Sequence, residues 1–166
     1  VNNQQHKVRI IGFDHDDLAD AEAKAGITFE FANLISDENG YSLASLWQNE
    51  YKTTSPNYDY LNSTIHKNLT GQGNAPIMWY EKDGTKKSNR SQTVLDMLPS
   101  DLKNVLKVVK KKVNLNTTGN WVQTEFTDKL FLLAPKEIGY SSSHMESDVT
   151  TYKYYEGHTG DTDGIR

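Results

Sequence analysis

Cysteine is absent from all 166 residues. That excludes disulfides, thiolate metal sites and cysteine nucleophiles together. It also fits a bacterial or cytosolic chain better than a eukaryotic secreted one. Positive charge is in deficit, with 18 Lys and Arg against 22 Asp and Glu, a net charge of −4 and a pI near 5.7. A general nucleic-acid binder needs the opposite balance, so no nucleic-acid partner is expected. No apolar run reaches the length of a membrane span, so none is expected. No Gly-x-Ser-x-Gly elbow and no His-Glu-x-x-His helix occurs, which removes the strongest hydrolase signatures. No leader segment is legible, and Val1 reads as the start of a mature chain.

What is present describes a compact object. Hydrophobic residues make up 36% and charged residues 24%, with nine Tyr and three Trp, too aromatic for a disordered chain. The length suits one domain with a core of its own, residues 1–166. Within it, residues 1–6 read as frayed, 70–90 as an exposed insertion and 157–166 as a flexible tail.

Residues 7–13 read as a strand with a bulge at Gly12. Asp16 or Asp17 then caps a short helix to Ala25, closed by Gly26. Residues 27–31 alternate cleanly as a strand. Leu43, Leu46 and Trp47 suggest a buried helical turn or two, and Leu61, Ile65 and Leu69 a helix over 58–69. Ile77–Tyr80 followed by Lys82-Asp83-Gly84 reads as half of a hairpin.

Leu102, Val105, Leu106, Val109 and Val113 lie on one face of a helix, with Lys110, Lys111 and Lys112 as the solvated cations of its C-terminal end. Residues 129–133 are apolar on both parities and read as a central strand buried on both faces. Residues 149–155 alternate weakly. The resulting fold class is α+β, a mixed or antiparallel sheet with two to three packed helices and long polar loops.

Four groups of residues offer chemistry. Asp14, Asp16 and Asp17 surround His15, and carboxylates of this kind suit a hard cation such as calcium. A strand end followed by a helix cap explains them more simply. His158, Asp161 and Asp163 resemble a piece of a calcium loop but lack its downstream Glu; a flexible acidic terminus is the simpler account. Ser141–Ser143 beside His144 is a polar loop before it is a nucleophile and base. Trp79, Tyr80 and Trp121 stand in polar surroundings, where aromatic rings stack on sugars or anchor protein partners, or simply cover the core. Paired carboxylates for glycoside hydrolysis need only meet in space, and nothing in the sequence selects a pair. Four Asn-x-Ser/Thr triplets occur, at Asn62, Asn68, Asn89 and Asn116. So Asn- and Ser/Thr-rich a chain yields about two to three by chance.

The segments RIIGFDHDDLAD, AGITFEF, LPSDLKNVLKVVKKKVN, DKLFLLAPKEIGY and YKYYEG occur in that order. Together, over about residues 7–155, they resemble an uncharacterised domain family of secreted and cell-surface proteins of Gram-positive gut bacteria. That resemblance implies a compact α+β module, with a fold-level analogy to C-type lectins. It also implies a closing segment beyond Arg166. The function expected is a non-catalytic binding or adhesion module at the cell surface, extracellular, with a glycan or protein ligand and no required cofactor. A hydrolase of surface polymers, working through convergent carboxylates and histidines, and a ligand-free spacer are the alternatives.

Overall fold

The computed structural model describes residues 5–32, 42–44, 59–71, 77–80, 86–90, 93–116, 119–140 and 146–157. Among these the architecture is α+β: three antiparallel sheets and three short α-helices.

Strand β1 (Val8–Phe13) pairs with β2 (Ile27–Phe31), Val8 opposite Phe31 and Phe13 opposite Ile27. The expected bulge is there. The register shifts between Ile10 and Gly12, so Ile11 and Gly12 both turn inward and are buried. The extra residue returns Phe13 to the face it shares with Val8 and Ile10. Gly12 lies so close to the Tyr152 ring that a Cβ would sit 2.8 Å from Cδ1.

The expected helix over 18–25 does not form. Instead Leu18 N–H donates to Ala23 O at 2.9 Å, Asp17 bridges to Lys24 and Leu18 bridges to Val109. The segment spends its polar backbone groups partly on itself, as a small antiparallel bridge, and partly on a segment remote in sequence, rather than on helical turns.

Strand β3 (Ser42–Ala44) pairs with β4 (Ile77–Tyr80), which pairs in turn with β5 (Lys86–Arg90). The hairpin expected after Ile77 therefore exists, whereas Leu43 lies in a strand rather than a helical turn. Leu46, Trp47 and the Lys82-Asp83-Gly84 turn lie outside the described residues.

Helix α1 (Thr64–Thr70) begins later than its apolar spacing suggests. Ser63 caps it by accepting from His66 N–H at 3.2 Å. Gly71, at φ 75°, closes it in the left-handed region. Helix α2 (Val94–Met97) opens on a capping box between Thr93 and Asp96. It packs on α1 and buries Val94, Met97 and Leu98.

Helix α3 (Ser100–Val105) stops far short of Val113. The lysine run lies instead in strand β6 (Val109–Asn116), which pairs with β7 (Trp121–Asp128) throughout its length. Val109 and Lys111 point inward while Lys110 points out. Lys111 is thus a buried side chain on the inner face of a strand, not a solvated helix end.

Residues 129–133 are not a strand either. They run unladdered under β6, and the Leu132 N–H donates to the Tyr60 hydroxyl at 3.1 Å. A 3₁₀ turn, Pro135–Ile138, follows, and another spans Lys153–Tyr155. The weak alternation over 149–155 makes no strand. Ile11, Tyr152 and Tyr155 form one core cluster, against which Leu133 and Ile138 pack.

Candidate functional site

Four elements meet at one ammonium group. Lys111 comes from the inner face of β6 and Asp16 from the turn after β1. Glu137 comes from the first 3₁₀ turn, and Tyr152 precedes the second. Their exposures are 4%, 5%, 3% and 0%.

Lys111 Nζ donates to Asp16 Oδ1 at 3.0 Å, to the Tyr152 hydroxyl at 3.0 Å, and to Glu137 Oε1. A lysine ammonium has three hydrogens, and all three are used. The Tyr152 hydroxyl donates onward to the Asp16 carboxylate, 2.8 Å from each oxygen. Thr28 adds a bond to Asp16 Oδ2 at 2.7 Å. Glu137 Oε2 accepts the Ala134 N–H at 2.8 Å, which fixes the 3₁₀ turn that presents Glu137. The Phe131 ring lies 4.3 Å from Nζ, and His15 stacks on Tyr152 at 3.8 Å. Aromatic walls thus exclude water from the charges.

Titration follows this geometry. Burial works to raise the Asp16 carboxyl, but Lys111, Thr28 and Tyr152 outweigh it and hold the group below its ordinary value. At Glu137 burial prevails over Lys111 and the Ala134 N–H, and the carboxyl lies above its ordinary value. Burial, followed by Glu137 and Asp16, pushes the Tyr152 phenol far up, so it stays a donor. Burial also lowers His15.

The imidazole of His15 and the carboxylates of Asp16 and Glu137 present ligand atoms within 4.8 Å of one another. The Lys111 ammonium bonds both carboxylates, so the positive charge such a cluster calls for is already supplied by the chain. Asp14 does not join them; it is exposed, at φ 47°. Asp161, Asp163 and His158 lie outside the described residues, as does the Ser141–His144 loop. Trp79 and Tyr80 stand in β4 opposite Lys87 and Lys86; their side chains are outside the described part. Trp121 opens β7, 38% exposed, opposite Asn116. It is remote in the ladder from Lys111, which pairs with Phe126. Asn68 and Asn116 are buried at 1% and 6%, which rules out modification of either in the folded chain.

A second buried pair lies near α1. His66 sits between the Leu61 carbonyl, 2.9 Å from Nδ1, and Asp128 Oδ2, 2.8 Å from Nε2. Both ring nitrogens are thereby engaged. Tyr60, its ring tilted against His66 at 4.8 Å, has its phenol pushed up to about 12, chiefly by burial and further by Asp128.

Lys111, Glu137 and Tyr152 are not legible as site residues in the sequence. One signal was available: a lysine at the middle of the alternation Val109-Lys111-Val113 is an inward-facing charge if the segment is a strand.

Beside this network lies a cleft of about 390 Å³, lined by β2 and, across from it, by Leu102, Val105 and Leu106 of the α3 region and by Leu130. No helix among the described residues is long and apolar enough to cross a membrane.

No curated protein and no solved structure matches the chain. A family model does match, over residues 32–165. The β1–β2 hairpin with Asp16 precedes the matched part, while Lys111, Glu137 and Tyr152 lie inside it. The chain therefore belongs to the family described as a domain of unknown function, DUF6273.

Proposed function

We propose that the chain is a non-catalytic binding module of a secreted or cell-surface bacterial protein, with a protein or glycan as ligand. A Gram-positive gut source and a likeness to C-type lectins belong to the same reading, on the sequence resemblance alone. One observation carries the choice against an enzyme. Among the described residues, the titratable groups that converge do so on each other: every Lys111 hydrogen, both Asp16 oxygens and both Glu137 oxygens are already bonded. A general acid or base must reach a substrate proton, and these groups are buried and occupied by one another. Beside them an apolar cleft and half-exposed Val8, Ile10, Phe13 and Ile27 offer binding surface without chemistry.

The hydrolase reading takes support from the two carboxyls whose values are split apart, the pattern of an acid and base pair. The lysine between them accounts for the same split as a structural ion pair.

The test is a glycan array and a panel of extracellular proteins probed with the intact chain and with its Trp79→Ala and Trp121→Ala variants, alongside mass spectrometry of surface polysaccharides incubated with it. Ligand capture without released products is expected. Products that vanish in Glu137→Gln would establish the hydrolase instead. Absence of both capture and products would favour a spacer.

A further inference from the structure

Among the described residues, one edge of β2 carries no paired strand. Ala32 N–H donates to Lys7 O at 2.9 Å and Asp14 N–H to Gly26 O at 3.2 Å. Backbone groups of a strand point alternately to either side. The even-numbered residues of β2 therefore face β1, as Glu30 does opposite Arg9. The N–H and C=O groups of Ile27, Phe29 and Phe31 point to the other side, where no further strand is paired among the described residues.

All five residues of β2, of both parities, line the 390 Å³ cleft. A cleft over one face would touch alternate residues; this one runs along the strand's edge. Its opposite wall is apolar, formed by Leu102, Val105 and Leu130. Lys107 and Lys129 also line it. Both are exposed, and neither is paired with a carboxylate among the described residues. The acidic residues that line it, Asp16 and Glu30, are committed to Lys111 and to Arg9.

We propose that this edge is a strand-addition site for an extended peptide segment of a partner protein. The peptide would pair its backbone with Ile27, Phe29 and Phe31. It would place alternate apolar side chains against α3 and a carboxylate beside Lys107 or Lys129. An open, long, apolar β-edge invites pairing, and native chains usually blunt such an edge. Here it is instead walled by a helix and flanked by cations, which fits a selective site better than an unprotected edge. The proposal rests on the binding-module reading and names the ligand as protein rather than glycan: the cleft offers apolar walls and backbone amides, and few of the polar side chains that sugar hydroxyls need.

The experiment is selection of a random heptapeptide display library on the intact chain, with winners resynthesised and measured by fluorescence anisotropy. Winners alternating apolar residues with an acidic flank are expected. N-methylation of alternate peptide amides should weaken them at least about tenfold, and Lys107→Glu or Lys129→Glu should do the same while leaving the melting curve in place. No enrichment, winners with helical apolar spacing, or binding indifferent to N-methylation would overturn the proposal. Sedimentation showing a self-dimer abolished by Phe29→Pro would overturn it too, since the occupant would then be a second copy. Failure here with glycan capture on the array leaves the binding-module reading standing; failure of both removes it as well.

Discussion

The two sides of the β1–β2 hairpin differ in what they have finished doing. Toward the core, Asp16 and Thr28 join Lys111, Glu137 and Tyr152 in a network whose donors and acceptors are all used. Toward the cleft, Ile27, Phe29 and Phe31 have apolar side chains and backbone groups with no strand partner among the described residues. The charged region invites a catalytic reading, but its bonding capacity is spent within the chain. The apolar region carries no chemistry and is open. Charge density alone is thus a poor guide to function; unmet bonding capacity is a better one.

The largest effect should come from Lys111→Met. It leaves two buried carboxylates facing one another, and breaking a buried ion pair from one side costs about 3–5 kcal/mol. Urea unfolding measures it. The triple variant Asp16→Asn, Lys111→Met, Glu137→Gln should recover most of the loss, because no uncompensated charge remains. A mild effect of Lys111→Met alone would show that the network is wetter than its exposures imply.

Next are Gly12→Ala and Tyr152→Phe. The first drives a methyl into the Tyr152 ring, an overpacking cost of about 1–3 kcal/mol. The second removes a hydroxyl bonded to two charged groups, about 1.5–3 kcal/mol.

The pH dependence separates the two carboxylates. The Asp16 value is lowered by folding, so its contribution is present above the ordinary carboxylate range and lost as pH falls through the folded value. The Glu137 value is raised, so its contribution is full below that range and lost as pH rises through the folded value. Urea midpoints from about pH 3 to 7 should therefore show the wild type gaining on Asp16→Asn and losing on Glu137→Gln as pH rises. Parallel curves would mean that the two carboxylates do not titrate apart.

The smallest effect is expected on the outward face. Ile10→Ser and Phe13→Ser replace residues that are 50% and 65% exposed. Stability should stay within about 0.5 kcal/mol of wild type. A larger loss would mean that the face is covered in the folded protein.

The legible parts of the fold were those set by neighbours in sequence. Alternation marked Ile27–Phe31, Gly12 marked the bulge, and Ile77–Tyr80 marked a hairpin strand. The parts that were not legible depend on remote partners. Val109–Val113 reads as a helix continuation because Val109 and Val113 extend the helical spacing of Leu102, Val105 and Leu106. Lys111 faces inward because Asp16, 95 positions away, and Glu137 are there to receive it. Residues 129–133 look like a buried strand by composition, yet the Leu132 N–H is taken by Tyr60, 72 positions away. Of the candidate site residues, Asp16 was legible as a carboxylate near a strand end. Its partners were not, since their convergence is a property of the folded chain alone.

Native-state hydrogen exchange on β2 tests the contrast most directly, because one strand carries both states. The Glu30 amide, bonded toward β1, should exchange far more slowly than those of Phe29 and Phe31, which face the cleft. Equal protection of all three would mean that the edge is already paired, and the open half of the contrast would not exist.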